Sequence, residues 1–311
     1  ATAERNQYYA DIAASIQRVT EETLLKMANH GYRRTGQKVL CMAGGVALNS
    51  VANGRILRET PFEDVWIQPA AGDSGGALGA ALYVYHILLG KPRKFVMEHA
   101  YWGEAYPSDE VKTAIEATGR SYQRVEDQQK QAEMMVDDIL AGKVISLFQD
   151  RFEWGPRALG NRSILADPRS AEMKEIVNAR IKFREPFRPF APVILEEHAA
   201  DFYESVDHPK RHYPLRYMLM VYRTKDGQGE KIQAVTHEGS SGRMQTVRRE
   251  WNPLYYRAIE LFGEATGVPV LLNTSFNLRG EPIVTTPTNA LYTFSKSDID
   301  TLFMDGFVIR K

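Results

Sequence analysis

Cysteine is nearly absent from this 311-residue chain; the one present, Cys41, stands between Leu40 and Met42 in an apolar run. No internal disulfide can form and no multi-cysteine zinc site can be built. Net charge is missing too: 39 basic residues face 39 acidic ones, so no global field draws the chain to nucleic acid or to an anionic membrane. Any anion site must be local. No apolar stretch reaches the roughly 18 residues of a membrane span, and the opening residues, ATAERNQYYADIAAS, lack the apolar core of a secretory signal. A cytoplasmic protein with no nucleic-acid and no membrane partner is the expectation. An initiating Met is also lacking, and the chain opens inside a helical pattern, which predicts the C-terminal part of something longer.

What is present suffices for a full core, since 43% of the residues are hydrophobic; a length above the usual ~100–200 residues of one domain predicts two. Over 9–30, Ile12, Ile16, Val19, Leu24, Leu25 and Met27 recur at helical spacing, with Gly31 as a stop. A strand is expected over 38–43, ended by Gly44-Gly45, then a helix over 46–59, a strand over 64–68, a loop over 69–76 and a small-residue helix over 77–89. Two strands make too small a sheet, so residues 1–95 read as part of a domain, and 96–311 as a longer α/β unit. In the second unit, helices are expected over 108–118, 129–141, 171–181, 253–266 and 287–295. Strands are expected over 144–149, 190–195, 217–223, 232–237, 270–272 and 301–309. Such alternation places ligands in the loops at strand ends.

Several of those loops carry chemistry. Gly44-Gly45 before a helix leaves N–H groups free for an anion or nucleotide, although a tight turn explains the pair as well. Asp73, between Gly72 and Gly75-Gly76, suits a metal or nucleotide; an N-cap competes. The segment from Arg151 to Arg169 sets four arginines, Arg157 and Arg162 among them, amid Gly, Pro and Asn rather than on one helical face. Guanidinium forks suit phosphate and carbamoyl phosphate. Lys182, Arg184 and Arg188 follow, spaced by aromatics and prolines that stiffen the backbone. Surface loops paired with Glu153 and Glu185 are the competing explanation.

Downstream, His237 could donate to a phosphoryl oxygen or move a proton, or cap a strand end; Arg243 lies close by in sequence. Asn273, Ser275 and Asn277 end an apolar strand, where amides and hydroxyls read ribose, adenine or a carbonyl, or simply form an Asx or Ser turn. His208 and His212 have the spacing of a helical metal pair, but Pro209 and Pro214 argue for a loop. The aromatic and basic stretch over 251–257 reads as a helix with a buried aromatic side.

Together, Ala43-Gly-Gly-Val-Ala-Leu-Asn49, Pro69-Ala-Ala-Gly-Asp-Ser-Gly-Gly-Ala-Leu-Gly79, Glu153-Trp-Gly-Pro-Arg-Ala-Leu-Gly-Asn-Arg-Ser-Ile-Leu165, Lys182-Phe-Arg-Glu-Pro-Phe-Arg-Pro-Phe-Ala-Pro192 and Asn273-Thr-Ser-Phe-Asn277 strongly resemble the O-carbamoyltransferases of nodulation-factor and antibiotic biosynthesis. The match spans nearly the whole chain. The resemblance implies the end of a domain of the actin-like, sugar-kinase-like ATPase superfamily. An α/β domain with a twisted open sheet, similar to the threonylcarbamoyl-adenylate synthases, follows it. In that family the second domain binds carbamoyl phosphate and ATP with Mg2+, and carbamate is adenylated with release of pyrophosphate. The actin-like domain then transfers the carbamoyl group to a small-molecule hydroxyl acceptor with a divalent metal of the iron or manganese type.

By that resemblance Arg157, Arg162, Lys182, Arg184 and Arg188 hold phosphates and stabilise developing charge, with His237, while Asn161, Arg243, Asn273, Ser275 and Asn277 complete the pocket. Gly44, Gly45, Asn49 and Gly76 face the nucleotide in the other domain, and Asp73 is a metal ligand. The family's paired metal-binding histidines have no counterpart before Gly44, so this chain is expected not to hold the metal itself. Asp150 stands where the family usually has Gly. The missing N-terminal half is expected in cis or in trans, and a broken domain edge favours homo-oligomers. The alternatives are a threonylcarbamoyl-adenylate enzyme serving transfer RNA, using bicarbonate and threonine, or a non-catalytic nucleotide-binding module.

Overall fold

The computed structural model describes residues 6–185, 187–206 and 213–311, so His208 and His212 lie outside the described residues. No helix among the described residues is long and apolar enough to cross a membrane. The chain opens with α1 (Asn6–Thr35), β1 (Val39–Met42), α2 (Ser50–Glu59), β2 (Asp64–Ile67) and α3 (Ser74–Tyr83), which runs on into a π-helical turn, Val84–Leu88. β1 and β2 pair in parallel, Val39 opposite Asp64. Gly44, at φ 96°, turns the chain out of β1, a conformation that costs a Cβ-bearing residue energy. The helix expected over 46–59 is interrupted. A 3-10 turn, Gly45–Leu48, comes first, and Asn49 then leaves helical geometry so that its side chain can accept from the Ala52 N–H and cap α2.

The rest of the chain builds one large sheet. Its strands are β3 (Gln123–Arg124), β4 (Ile145–Phe148), β5 (Arg162–Ala166), β6 (Ala191–Leu195), β9 (Gln245–Val247), β10 (Val270–Ser275), β11 (Thr301–Met304) and β12 (Phe307–Arg310). They run in the order β3-β12-β11-β4-β5-β10-β6-β9. The sheet is mixed: β4 with β11 and β6 with β9 are parallel, and the other neighbours are antiparallel. A short pair, β7 (Tyr222–Arg223) and β8 (Ser241–Gly242), stands apart.

Helices cover both faces, which is why the central strands read as continuous apolar runs rather than alternating ones. On one face α5 (Gln128–Leu140) and α8 (Pro253–Thr266) pack over Ile145, Leu147, Leu165, Leu271 and Phe303. On the other, α4 (Ser108–Glu116), α6 (Ala171–Val177) and α9 (Pro287–Lys296) pack with Phe148, Ile164, Val270, Leu272 and Met304. Neighbouring residues Leu271 and Leu272 thus enter opposite layers, as strand geometry requires. α8 shows both boundary signals: the Asn252 side chain accepts from the Tyr255 N–H, Pro253 opens the helix, and Gly267 at φ 74° closes it.

Four expectations are corrected. The strand expected over 217–223 starts on the last residue of a 3-10 turn, Tyr213–Tyr217, runs irregularly over 218–221, and leaves only β7. The strand expected over 232–237 is a pair of 3-10 turns within Gly229–Val235, kinked at Ile232, whose Ile232, Ala234 and Val235 join the core beside Met173 and Val177 of α6. Short apolar runs fit either geometry, and here packing decided. The run over 301–309 is a hairpin, because Asp305 and Gly306 both take positive φ, 46° and 85°, the Asp-Gly signature of a two-residue turn. The helix over 171–181 stays α-helical only to Val177, continues as a π-helical turn, Asn178–Lys182, and stops at Phe183 in left-handed geometry.

A third core joins the opening elements to the large sheet: Ile56, Val65, Ile67 and Ala71 pack with Tyr101, Leu159, Tyr213 and Leu219. Trp66 stacks on Tyr213 with ring centroids 5.0 Å apart. Asn53 donates to the carbonyls of Ala47 and Leu219 at 2.8 and 2.9 Å, fastening α2 to the later chain. Gly155, at φ 135°, presses on Pro69, where a Cβ would lie 2.7 Å from the Pro69 carbonyl oxygen.

Candidate active site

Sheet topology brings four segments to one end. β10 runs antiparallel to β5 and β6, with Asn273 opposite both Leu165 and Ala191, while β9 runs parallel to β6. The C-terminal end of β10 therefore lies beside the N-terminal ends of β5, β6 and β9, and the loops entering those strands carry Arg157, Arg184 and Arg243. Two adjoining cavities form there. The smaller, about 110 Å³, is lined by Arg157, Arg184, Arg243, Asn273, Thr274 and Ser275 among others. The more open one, about 200 Å³, is lined by Lys182, Arg184, Arg188, Ser275, Asn277 and Arg279. Arg184 and Ser275 line both.

The charges here are not compensated. Six cations line the two cavities, against one carboxylate, Glu185, which pairs with Arg188 at 3.1 Å. The Lys182 ammonium donates to the Asn277 side-chain oxygen at 2.8 Å and to the carbonyls of Ser275 and Asn277. All of these are neutral acceptors. Arg184 donates to Asn178 Oδ1 at 2.8 Å and lies 4.5 Å over the Phe190 ring. Arg157 and Arg243 each keep a buried Nε that has no hydrogen-bond partner among the described residues.

Buried cations without counter-charge lose affinity for their protons. Burial, with Arg184 adding repulsion, pushes Lys182 down to about 7, and burial with Arg157 and Arg184 pushes Arg243 down to about 9. Burial also lowers Arg157. A bound oxyanion would restore the charge balance and give the idle guanidinium donors an acceptor, so the donor set fits a phosphorylated ligand.

Other expected site residues are elsewhere. Arg162 is fully buried at the start of β5 and lines neither cavity. It donates to the carbonyls of Gln149, Asn161 and Asp150 at 2.6, 2.9 and 3.2 Å, lies 3.7 Å over the Phe148 ring, and leaves its Nε unpaired. Asn161 bonds Asn252 and the Arg151 carbonyl. Glu153 forms no ion pair with an arginine among the described residues; its Oε1 accepts from the N–H groups of Leu159, Asn161 and Arg162 and shapes the loop. His237 Nε2 contacts the Phe190 carbonyl oxygen at 3.0 Å, and burial pushes the ring down to about 4, so it is neutral at pH 7. The His237 backbone N–H donates to the Ser241 carbonyl in an isolated bridge beside β8.

In the opening region the Gly44 N–H is taken by the Ala71 carbonyl at 2.8 Å, and Asn49 by Gln17 and the α2 cap. Gly45 and Gly76 border open space. Asp73 is exposed and makes no capping bond to α3. Among the described residues no three His, Cys, Asp or Glu side chains gather as metal ligands. The described residues do not fit a resident metal. Arg279 and Thr274 were not anticipated; Arg279 stands two residues past Asn277 in an exposed turn, where a basic residue is unremarkable in sequence.

The chain belongs to the carbamoyltransferase family: residues 136–311 match the carbamoyltransferase C-terminus and residues 1–82 the carbamoyltransferase N-terminus. It is 43% identical to a protein of Synechocystis sp., over 97% of this chain and 52% of that one. To nodulation protein NolO of Bradyrhizobium diazoefficiens it is 42% identical, over 98% of this chain and 55% of that one. The chain therefore spans about half the length of the curated relatives it matches. Among solved structures, T. kodakarensis HypF overlays 58% of this chain and 22% of its own at 18% identity, with a TM-score of 0.39.

Proposed function

We propose that the chain carries the activating part of an ATP-dependent carbamoyltransferase, in which carbamoyl phosphate becomes carbamoyl-adenylate and pyrophosphate leaves. The observation that carries this reading is the set of uncompensated cations around two adjoining cavities. The smaller cavity, about 110 Å³, is well below the ~300–1,000 Å³ of drug-sized ligand sites and suits a small phosphorylated molecule. Its more open neighbour, carrying Lys182, Arg188 and Arg279, suits the phosphates of ATP. Water cleaves carbamoyl phosphate to carbamate and inorganic phosphate; the carbamate oxygen then forms a bond to the α-phosphorus of ATP while the bond to the leaving pyrophosphate breaks. The work of such a site is electrostatic: donors already aimed at the phosphoryl oxygens need no reorganisation as charge develops. Asp73 stands alone, so Mg2+ would enter only with the nucleotide's own phosphates.

The acceptor is a small-molecule hydroxyl, reached through an actin-like unit whose other half comes in cis or in trans. Two facts support that partner. The matched relatives are about twice as long, and Tyr83 at the end of α3 and Ile87, Leu88 and Leu89 beyond it stand exposed as an apolar surface. Self-association over the same surface would show as a dimer in light scattering.

The deciding experiment measures pyrophosphate release from ATP and carbamoyl phosphate by the whole chain, beside Arg157→Ala and Arg184→Ala. Release that requires carbamoyl phosphate and falls about 10²–10³-fold in either variant supports the reading. Release that the variants leave intact would place the chemistry elsewhere.

A further inference from the structure

The small cavity contains one polar atom that cation-to-oxyanion pairing does not use. Asn273 is 1% exposed, lines the cavity, and its side-chain Oδ1 accepts from no donor among the described residues. The orientation of this amide is fixed by its surroundings. The Leu159 carbonyl can only accept, and it accepts from the Tyr101 hydroxyl at 2.8 Å and from Gln245 Nε2 at 2.7 Å. That contact sets which end of the Gln245 amide is the amine, and so turns Gln245 Oε1 toward Asn273. Asn273 Nδ2 then donates to Gln245 Oε1 at 2.8 Å and to the Ala158 carbonyl at 3.2 Å. A reversed Asn273 amide would set its oxygen against two acceptors. Oδ1 is therefore the atom left over, a buried acceptor beside guanidinium groups that can only donate.

A fully deprotonated oxyanion offers Oδ1 nothing, because it has no hydrogen to donate. A ligand that satisfies the whole cavity must present oxygens to Arg157 and Arg243 and an N–H to Asn273. We propose that Asn273 Oδ1 accepts a hydrogen bond from the amino group of a carbamoyl ligand, making Asn273 the residue that separates carbamoyl from acyl phosphates. This assignment rests on the reading of the small cavity as the carbamoyl phosphate site. Gln245 is its positioning residue, touching the ligand only through the amide it orients.

Acetyl phosphate is the matched probe, since a methyl group replaces the amino group and the phosphate is kept. Calorimetric titration of the whole chain with carbamoyl phosphate, acetyl phosphate and inorganic phosphate should show carbamoyl phosphate binding about tenfold more tightly than acetyl phosphate, the worth of one good hydrogen bond. In Asn273→Leu the two should converge, with acetyl phosphate and inorganic phosphate unchanged. Gln245→Met, which keeps Asn273 but frees its amide to turn, should lose part of the preference; this variant also decides the matter if Asn273→Leu fails to fold. Equal binding of both acyl phosphates by the unaltered chain overturns the role of Asn273 and leaves the anion site standing. So does a preference that survives in the variants, or a loss of all three ligands together in Asn273→Leu. If the unaltered chain binds none of the three, the carbamoyl phosphate reading itself falls, and this assignment with it.

Discussion

Arg157 and Arg162 lie five positions apart in one loop-to-strand segment, the first half-buried and the second fully buried, and their surroundings are opposite. Arg162 spreads its terminal nitrogens over three backbone carbonyls and its plane over Phe148. A buried, unpaired Nε is common to Arg157, Arg162 and Arg243; the difference is that Arg157, like Arg243 across the cavity, also has no acceptor among the described residues for its terminal nitrogens. Burial alone therefore says little about an arginine's purpose. What separates a structural cation from a ligand-binding one is whether the fold has already supplied its acceptors.

Breaking the structural side of that contrast should have the largest effect. Arg162→Met takes the guanidinium donors from the carbonyls of Gln149 and Asp150, leaves that of Asn161 with only the Gln149 N–H, and removes the cation beside Glu153, so a loss of about 3–5 kcal/mol is expected in denaturant unfolding. The next effect comes from pH, through Lys182. Its folded-state pKa of about 7 lies below its ordinary 10.5, so above about 7 the unfolded chain binds more protons than the native one. The unliganded chain should gain up to about 1.4 kcal/mol per pH unit from pH 7 upward. Phosphate affinity should fall over the same range, as the ammonium that attracts it is lost. A melting series with and without phosphate reads both slopes, and parallel slopes would remove Lys182 from the site.

Arg243→Met sharpens the contrast from the other side. Removing an uncompensated buried charge should stabilise the unliganded chain by on the order of 1 kcal/mol while abolishing stabilisation by carbamoyl phosphate. An Arg243 variant less stable than the parent would mean that its charge is already balanced. The smallest expected effect is at Asp150, which takes φ 42°, a left-handed conformation disfavoured for a residue with a Cβ. Asp150→Gly should raise stability by about 0.5 kcal/mol, the relief being partly offset by glycine's greater freedom when unfolded. It should leave the Asp150 carbonyl free to keep its bond to Arg162.

The sequence made the cationic segments legible because glycine, proline and asparagine around Arg157, and prolines around Arg184, cannot form an amphipathic helix. It did not make direction legible. Arg162 opens a buried strand, Arg-Ser-Ile-Leu-Ala, and its side chain follows the pleat onto Phe148 rather than into the cavity; nothing in the local spacing distinguishes it from Arg157. Asn273 was read as one of several strand-end amides, because its role depends on Gln245 and Leu159, brought to it only by sheet pairing. The hairpin at Asp305-Gly306 was the reverse case. Its signal was present, and the apolar residues on either side disguised two strands as one. Tyr217 to Arg223 failed for want of a neighbour, since β7 finds only a two-residue partner in β8.

Gly155 resting on Pro69 ties the arginine loop to the second glycine loop by backbone against backbone, with no side chain between them to yield. The two loops are in effect one part of the machine. A residue inserted in either would have to be answered by a change in the other, so these segments, far apart in the gene, are bound to vary together.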